Sequence, residues 1–207
     1  RLTLPARNEL LSSLAEDVCD KVLTRNRGQA RALSLAQLQS RKNIGLFADF
    51  IASLERRGII DRAVEQLPND ELFERYALEK SGLTRPELST LMAYSKMTLN
   101  NALVESNLLD DPQLQRYLLG YFPVPVVDKF GSDILNHPLR REIIATEVAN
   151  QMVDRLGPVF VHKIAEESSR TAADIVGAYV TANTLIRGDD MLFALRAIDV
   201  PAHARNY

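Results

Sequence analysis

Glycine is sparse in this 207-residue chain, and never clustered: the nine glycines stand at 28, 45, 58, 82, 120, 131, 157, 177 and 188, each at least eleven from the next. No G-x-G-x-x-G, P-loop or G-x-S-x-G can be written with that spacing, so a glycine-rich phosphate cradle and a nucleophile elbow are excluded at the level of motif. Cysteine occurs once, at Cys19, which excludes an internal disulfide framework and suits a reducing compartment, with cytoplasm as the expected location. With one cysteine and three scattered histidines, His137, His162 and His203, a histidine–cysteine metal site lacks ligands. A formal net charge of −2 gives no global basic field, so neither nucleic acid nor an anionic membrane is expected as a partner. No apolar run approaches the roughly 18 residues that a membrane span requires. No basic start followed by an apolar run is present, so no signal peptide is expected, and the lack of Met at residue 1 suggests a segment of a longer protein.

What is present is amphipathic periodicity. Its clearest centre is Leu83-Thr84-Arg85-Pro86-Glu87-Leu88. Thr84 and Glu87 have capping-box spacing, Pro86 falls in a first turn where its missing N–H costs nothing, and Leu83 and Leu88 are placed as a hydrophobic staple. Beyond them Leu88, Leu91, Met92, Ser95 and Leu99 recur at helical steps, and the helix is expected to reach about Leu109. Upstream, Arg7 to Thr24 reads as a helix with Leu10, Leu11, Leu14, Val18 and Val22 on its buried face and Cys19 at or beside it. Asn26-Arg27-Gly28 reads as its stop. A second helix, from about Arg31 to Arg57, is expected to pack antiparallel on the first. Short helices follow at Asp61–Gln66 and from Asn69 to about Leu78.

Asp111-Pro112 restarts the pattern, and Gly120 is expected to end it. Pro123-Val124-Pro125 reads as a stiff loop and corner, a candidate subdomain boundary, followed by an apolar turn. Leu139 to Leu156 is a strongly patterned helix closed by Gly157-Pro158. Val159 to Ala165 begins another, and Thr171 to Asp174 is a second capping-box start. Gly188-Asp189 reads as a break before a last segment, Met191 to Ile198, with order fading towards Tyr207. Strand alternation does not recur, and there is no fixed-period repeat. The expected fold is all-α, a multi-helix bundle, with two helical subdomains possible: residues 1–82, residues 83–187, and a short helix and tail over 188–207.

Catalytic chemistry is hard to place on this pattern. The carboxylate pairs Asp110/Asp111 and Asp189/Asp190 sit at helix starts, where capping explains them, and Glu166/Glu167 reads as a solvated face. His137 reads as a helix-start residue and His162 as a core-edge one. Arg140 and Arg141 lie in the first turn of a helix, where the macrodipole disfavours cations, so a partner carboxylate, a bound anion or plain hydration must account for them. Together with Arg85 they are the candidates for an anion or effector site, or for contacts between domains. No catalytic, metal or cofactor-binding residue is named.

Specific strings say more. Gly82-Leu83-Thr84-Arg85-Pro86-Glu87-Leu88 with Ala93-Tyr94-Ser95-Lys96, then Asp110-Asp111-Pro112, Tyr121-Phe122-Pro123, Leu139-Arg140-Arg141-Glu142-Ile143-Ile144-Ala145-Thr146 and Val148-Ala149-Asn150, stand in the order found in the large bacterial NAD-dependent glutamate dehydrogenases. The chain resembles their C-terminal helical region from roughly Leu10 to Asn183. Asp154-Arg155 stands where Asn-Arg is usual, and the stretch from Gly188 has no counterpart in these strings. The resemblance implies a parent enzyme that oxidises L-glutamate to 2-oxoglutarate and ammonia with NAD. It also implies a catalytic domain upstream in the same chain, a homo-oligomer, and no cofactor or catalysis within this segment. A structural, assembly or regulatory role follows. The alternative is a free-standing helical adaptor that binds another protein.

Overall fold

The structure, a computed structural model, describes residues 2–197, and every described regular element is helical. In chain order the α-helices are α1 (Leu4–Ser13), α2 (Ala15–Lys42), α3 (Ile44–Arg56), α4 (Asp70–Leu78), α5 (Arg85–Val104), α6 (Gln115–Tyr121), α7 (Val124–Leu135), α8 (Arg140–Leu156), α9 (Phe160–Ser168), α10 (Ala172–Leu185) and α11 (Gly188–Ala197). Two 3-10 turns, Asn107–Asp110 and Pro112–Leu114, link α5 to α6.

The all-α expectation holds, and α5 is the spine. Its start is built as the sequence implies. Glu87 Oε2 accepts from the Thr84 amide at 2.6 Å and from the Thr84 hydroxyl at 2.7 Å, and both staple leucines, Leu83 and Leu88, are buried. Along α5 the buried face changes core. Leu88 and Leu91 join Phe47, Phe50, Ile51 and Leu54 of α3 in one cluster. Met92, Leu99 and Leu103 join Ile144, Val148 and Met152 of α8, Leu118 of α6 and Val176 of α10 in the other. One helix therefore serves two hydrophobic cores.

Helix α2 departs from expectation. Asn26-Arg27-Gly28 does not stop it: the helix runs unbroken from Ala15 to Lys42, about 42 Å at 1.5 Å per residue. Gly28 has no left-handed φ, so it is not a C-terminal cap, and the Ala- and Leu-rich run after it propagates the helix. The break falls instead at Asn43, which leaves helical geometry (φ −148°, ψ 70°) and caps α3 by accepting the Leu46 amide at 3.3 Å. Gly45 then lies in the first turn of α3, where it interrupts nothing. Only the C-terminal half of α2 is buried, through Ala32, Ala36 and Ser40 at four-residue steps. These small side chains let α2 lie close against α5 and α8. Of the expected buried face, Leu10 and Leu14 are partly buried, Leu11, Val18 and Val22 are about half exposed, and Cys19 is exposed. The periodicity is real, but no described part of the chain covers that face.

Four further boundaries shift. Asp61 to Gln66 is a series of turns rather than a helix, and α5 ends at Val104 rather than near Leu109. Pro123-Val124-Pro125 starts a helix: Pro123 is the cap of α7 and Pro125 its second residue, a position where proline is tolerated. Gly188 begins α11 instead of breaking before it. The expected order near Tyr207 lies outside the described residues.

The link from α8 to α9 passes through the interior. Gly157, Pro158 and Val159 are all buried, and Gly157 adopts φ +91°. Buried carbonyls need partners. The Gln39 amide donates to Leu156 O at 3.0 Å, and the Ser95 hydroxyl donates to Pro158 O at 2.8 Å. The positive φ calls for glycine there, and a Cβ would also displace the Gln39 side-chain amide.

Candidate functional site

The three arginines singled out from sequence are not gathered into one site. Arg85 begins α5 and donates to Ser34 Oγ at 3.2 Å. Arg141, in the first turn of α8, reaches the opposite end of α5. It pairs with Asp110 at 2.7 Å and donates to Val104 O at 3.2 Å and Ser106 O at 2.7 Å. At 1.5 Å per residue, the length of α5 separates the two by roughly 30 Å. Arg141 thus satisfies carbonyls left open where α5 ends, and a cation is favoured there by that helix's dipole. Arg140, its neighbour, is exposed, with no side-chain hydrogen bond or ion pair among the described residues.

The carboxylate pairs divide in the same manner. Asp111 is a cap, accepting the Gln113 amide at 2.8 Å, while Asp110 is the ion-pair partner of Arg141. Asp190 pairs with Arg187 at 2.7 Å, and Asp189 reaches Arg155 at 2.6 Å. Capping therefore accounts for Asp111 only. Glu166 and Glu167 are exposed, as expected. His137 Nδ1 accepts the Leu139 amide at 3.1 Å, a helix-start role, and His162 packs at a tilt of 42° against Phe50 with ring centroids 5.3 Å apart. Burial lowers the His162 pKa from its ordinary value, as expected of an imidazole at a core edge.

One concave feature was not legible in the sequence. It is a groove of about 720 Å³ between α2, α8, α10 and α11. Leu35, Leu156, Ile186, Met191 and Leu192 supply its apolar surface. Its polar wall is a connected network. Arg155 of α8 holds Asp189 of α11 and lies 3.3 Å from Tyr179 Oη and 3.4 Å from Asn183 Oδ1, both on α10. Asn183 Nδ2 donates to Asp189 Oδ2 at 3.2 Å, and Gln151 Oε1 accepts from Tyr117 Oη at 2.9 Å. Burial raises the Tyr179 hydroxyl pKa, with the Arg155 guanidinium pulling the other way, so the phenol stays protonated near neutrality. Gly188 lies so close to Asn183 that a Cβ would collide with its side-chain oxygen, which sets α11 against the network.

A signal for this network does exist in the sequence. Gln151 and Arg155 on α8, and Tyr179 and Asn183 on α10, are polar pairs at i, i+4 beside otherwise apolar stripes. Only the packing shows that the two pairs face each other. Asp154, which also lines the groove, forms a 2.6 Å ion pair with Lys96, each side chain less than a fifth exposed. Among the described residues no group of three potential metal ligands forms, and no helix is long and apolar enough to cross a membrane.

This all-α architecture, with the capped α5 start and the Leu139–Thr146 start of α8, belongs to a described class of domain. The family model for the C-terminal region of glutamate dehydrogenase matches residues 80–206, and the chain is a member of that family. The match continues past Gly188, over the stretch for which the motif strings had no counterpart. Among individual proteins, the chain is 38% identical over 198 residues to the NAD-specific glutamate dehydrogenase of Halomonas elongata, covering 96% of this chain. It is 40% identical over 179 residues, 86% of this chain, to that of Pseudomonas aeruginosa. It is 30% identical over 195 residues, 94% of this chain, to that of Mycobacterium tuberculosis. The chain spans only 11–12% of the length of these relatives.

Proposed function

We propose that this chain is the non-catalytic, C-terminal helical part of an NAD-dependent glutamate dehydrogenase. The parent reaction would convert L-glutamate, NAD and water to 2-oxoglutarate, ammonia and NADH, with NAD held by the upstream catalytic domain. The observation that carries this reading is the near-complete coverage of the chain by relatives of which it forms about an eighth.

The role of the segment is structural and associative. Leu4, Leu11, Val18, Val22 and Leu23, on α1 and the first half of α2, are each 46% exposed or more. Large apolar patches of this kind mark contact surfaces. Their place ahead of the family's matched region favours packing on the upstream part of the same protein, with assembly between copies of the enzyme as the second use. Arg85 and Arg140, both exposed, are candidates for contacts between domains. A regulatory contribution would act through the same contacts.

Deleting this segment from the full-length enzyme tests the reading. The expected outcome is a loss of oligomer by light scattering, or a fall in glutamate-dependent NAD reduction, while the isolated chain reduces no NAD with glutamate. NAD reduction by the isolated chain would refute a non-catalytic role. An active, normally assembled deletion enzyme would refute the associative one. The alternative, a free-standing adaptor, would require that the chain be expressed without an upstream catalytic domain.

A further inference from the structure

We infer that the groove between α2, α8, α10 and α11 is a binding site for a small amphipathic carboxylate, an anionic head on an apolar body. This inference does not rest on the proposed role in the parent enzyme. Three observations converge on it.

The first is shape and chemistry. At about 720 Å³ the groove lies within the range of small-molecule sites, which are mostly apolar with a few convergent polar groups. The second is charge. Within the groove Arg25 is matched by Glu147 at 2.6 Å and Arg155 by Asp189, while Asp154 is matched from outside by Lys96. Lys21 and Arg31 remain without a carboxylate among the described residues. Lys21 donates to Gly120 O at 2.7 Å, so Arg31 is the cation left to meet an anion. Thr24 and Asn150 also line the groove and have no side-chain hydrogen bond among the described residues. A carboxylate can accept from a guanidinium, a hydroxyl and an amide N–H, and the apolar remainder of the groove suits the body attached to it.

The third is Gly28. It sits in the middle of a 28-residue helix, where glycine costs roughly 1 kcal/mol relative to alanine. No packing demands it, since a Cβ there would meet nothing within 4 Å. Gly28 lines the groove together with Lys21, Thr24, Arg25, Arg31 and Leu35, all on one face of α2. Its missing side chain leaves the floor of the groove open between Arg25 and Arg31.

The test titrates octanoate into the 207-residue chain by calorimetry, with octylamine as the probe of equal length and opposite charge. Saturable one-to-one binding of octanoate is expected, with octylamine at least about tenfold weaker. Gly28→Leu, which fills the floor, and Arg31→Glu, which reverses the free cation, are each expected to weaken octanoate by about tenfold or more, a factor equivalent to 1.4 kcal/mol. Circular dichroism and thermal unfolding establish that each variant is folded; Arg31 is exposed, so Arg31→Glu carries the test if Gly28→Leu does not fold. Absence of saturable octanoate binding overturns the inference. So does octylamine binding of equal strength, or undiminished binding in the folded variants.

Discussion

Ser40 Oγ accepts the backbone amide of Leu83 at 3.1 Å inside the protein, across 43 residues of sequence, while its own proton goes to Gln37 O at 3.0 Å. This bond pins the start of α5 to the C-terminal half of α2. Gly82 makes the approach possible: a Cβ there would lie 2.7 Å from Arg41 Cγ and 2.8 Å from the Arg41 amide nitrogen. Ser40→Ala leaves the Leu83 N–H buried and unpaired, so a loss of about 1–3 kcal/mol is expected in urea unfolding. Gly82→Ala should be destabilising as well, because backbone must move to admit the methyl group.

The two capping boxes make a matched pair of tests. Thr171 is the fuller box: its Oγ1 accepts the Asp174 amide at 3.2 Å, and its own amide donates back to Asp174 Oδ2 at 3.2 Å. Thr84→Ala and Thr171→Ala should each cost about 1 kcal/mol, measured as a shift in unfolding midpoint with an unchanged slope.

Adjacent arginines should behave differently. Arg141 makes one ion pair and two bonds to carbonyls at the end of α5, whereas Arg140 is exposed. Arg141→Ala should destabilise by about 1.5–3 kcal/mol, in the range for hydrogen bonds to charged groups. Arg140→Ala should stay within about 0.5 kcal/mol. Equal effects from the two substitutions would contradict the assignment of Arg141 to the α5 terminus.

Acid should weaken the fold through two identified groups. Asp174 is held below its ordinary pKa by its bonds to the Thr171 hydroxyl and amide. Its contribution is therefore complete above the unfolded carboxylate pKa and is lost as pH falls through the folded one. His162 is lowered chiefly by burial, against the opposing pull of Glu166 and Asp49, so the folded state resists its protonation. Its contribution is full above the unfolded imidazole pKa, about 6.5, and declines as pH falls through the lower folded value. Stability measured from pH 7 to 5 should fall less in His162→Leu than in the parent chain. Asp174→Asn should flatten the profile at lower pH.

Much of the fold is readable one helix at a time. The α5 start, the α8 stripe and the Thr171 box need only local chemistry, because caps and staples lie within five residues of their partners. The misread places are those where a local signal has two outcomes. Asn26-Arg27-Gly28 ends a helix only if glycine turns left-handed, and here the helix formers on either side carry it through. Pro123-Val124-Pro125 stiffens a loop or opens a helix equally well, and the docking of α7 beside α6 chose the second. The periodic face of Leu11, Val18 and Val22 is a valid amphipathic pattern that no described residue covers.

By itself, the sequence determined the helical class, the capped starts, the absence of a glycine phosphate loop and the family strings, since each depends on residues within a turn or two of one another. Tertiary structure alone decided that Arg85 and Arg141 lie at opposite ends of α5, that Asp189 pairs with Arg155, and that one face of α2 becomes the wall of a groove. Those outcomes depend on how helices distant in sequence are rotated against each other. Helical periodicity gives each helix a face but leaves its partner unspecified, and burial of two cores along a shared α5 selects the pairing.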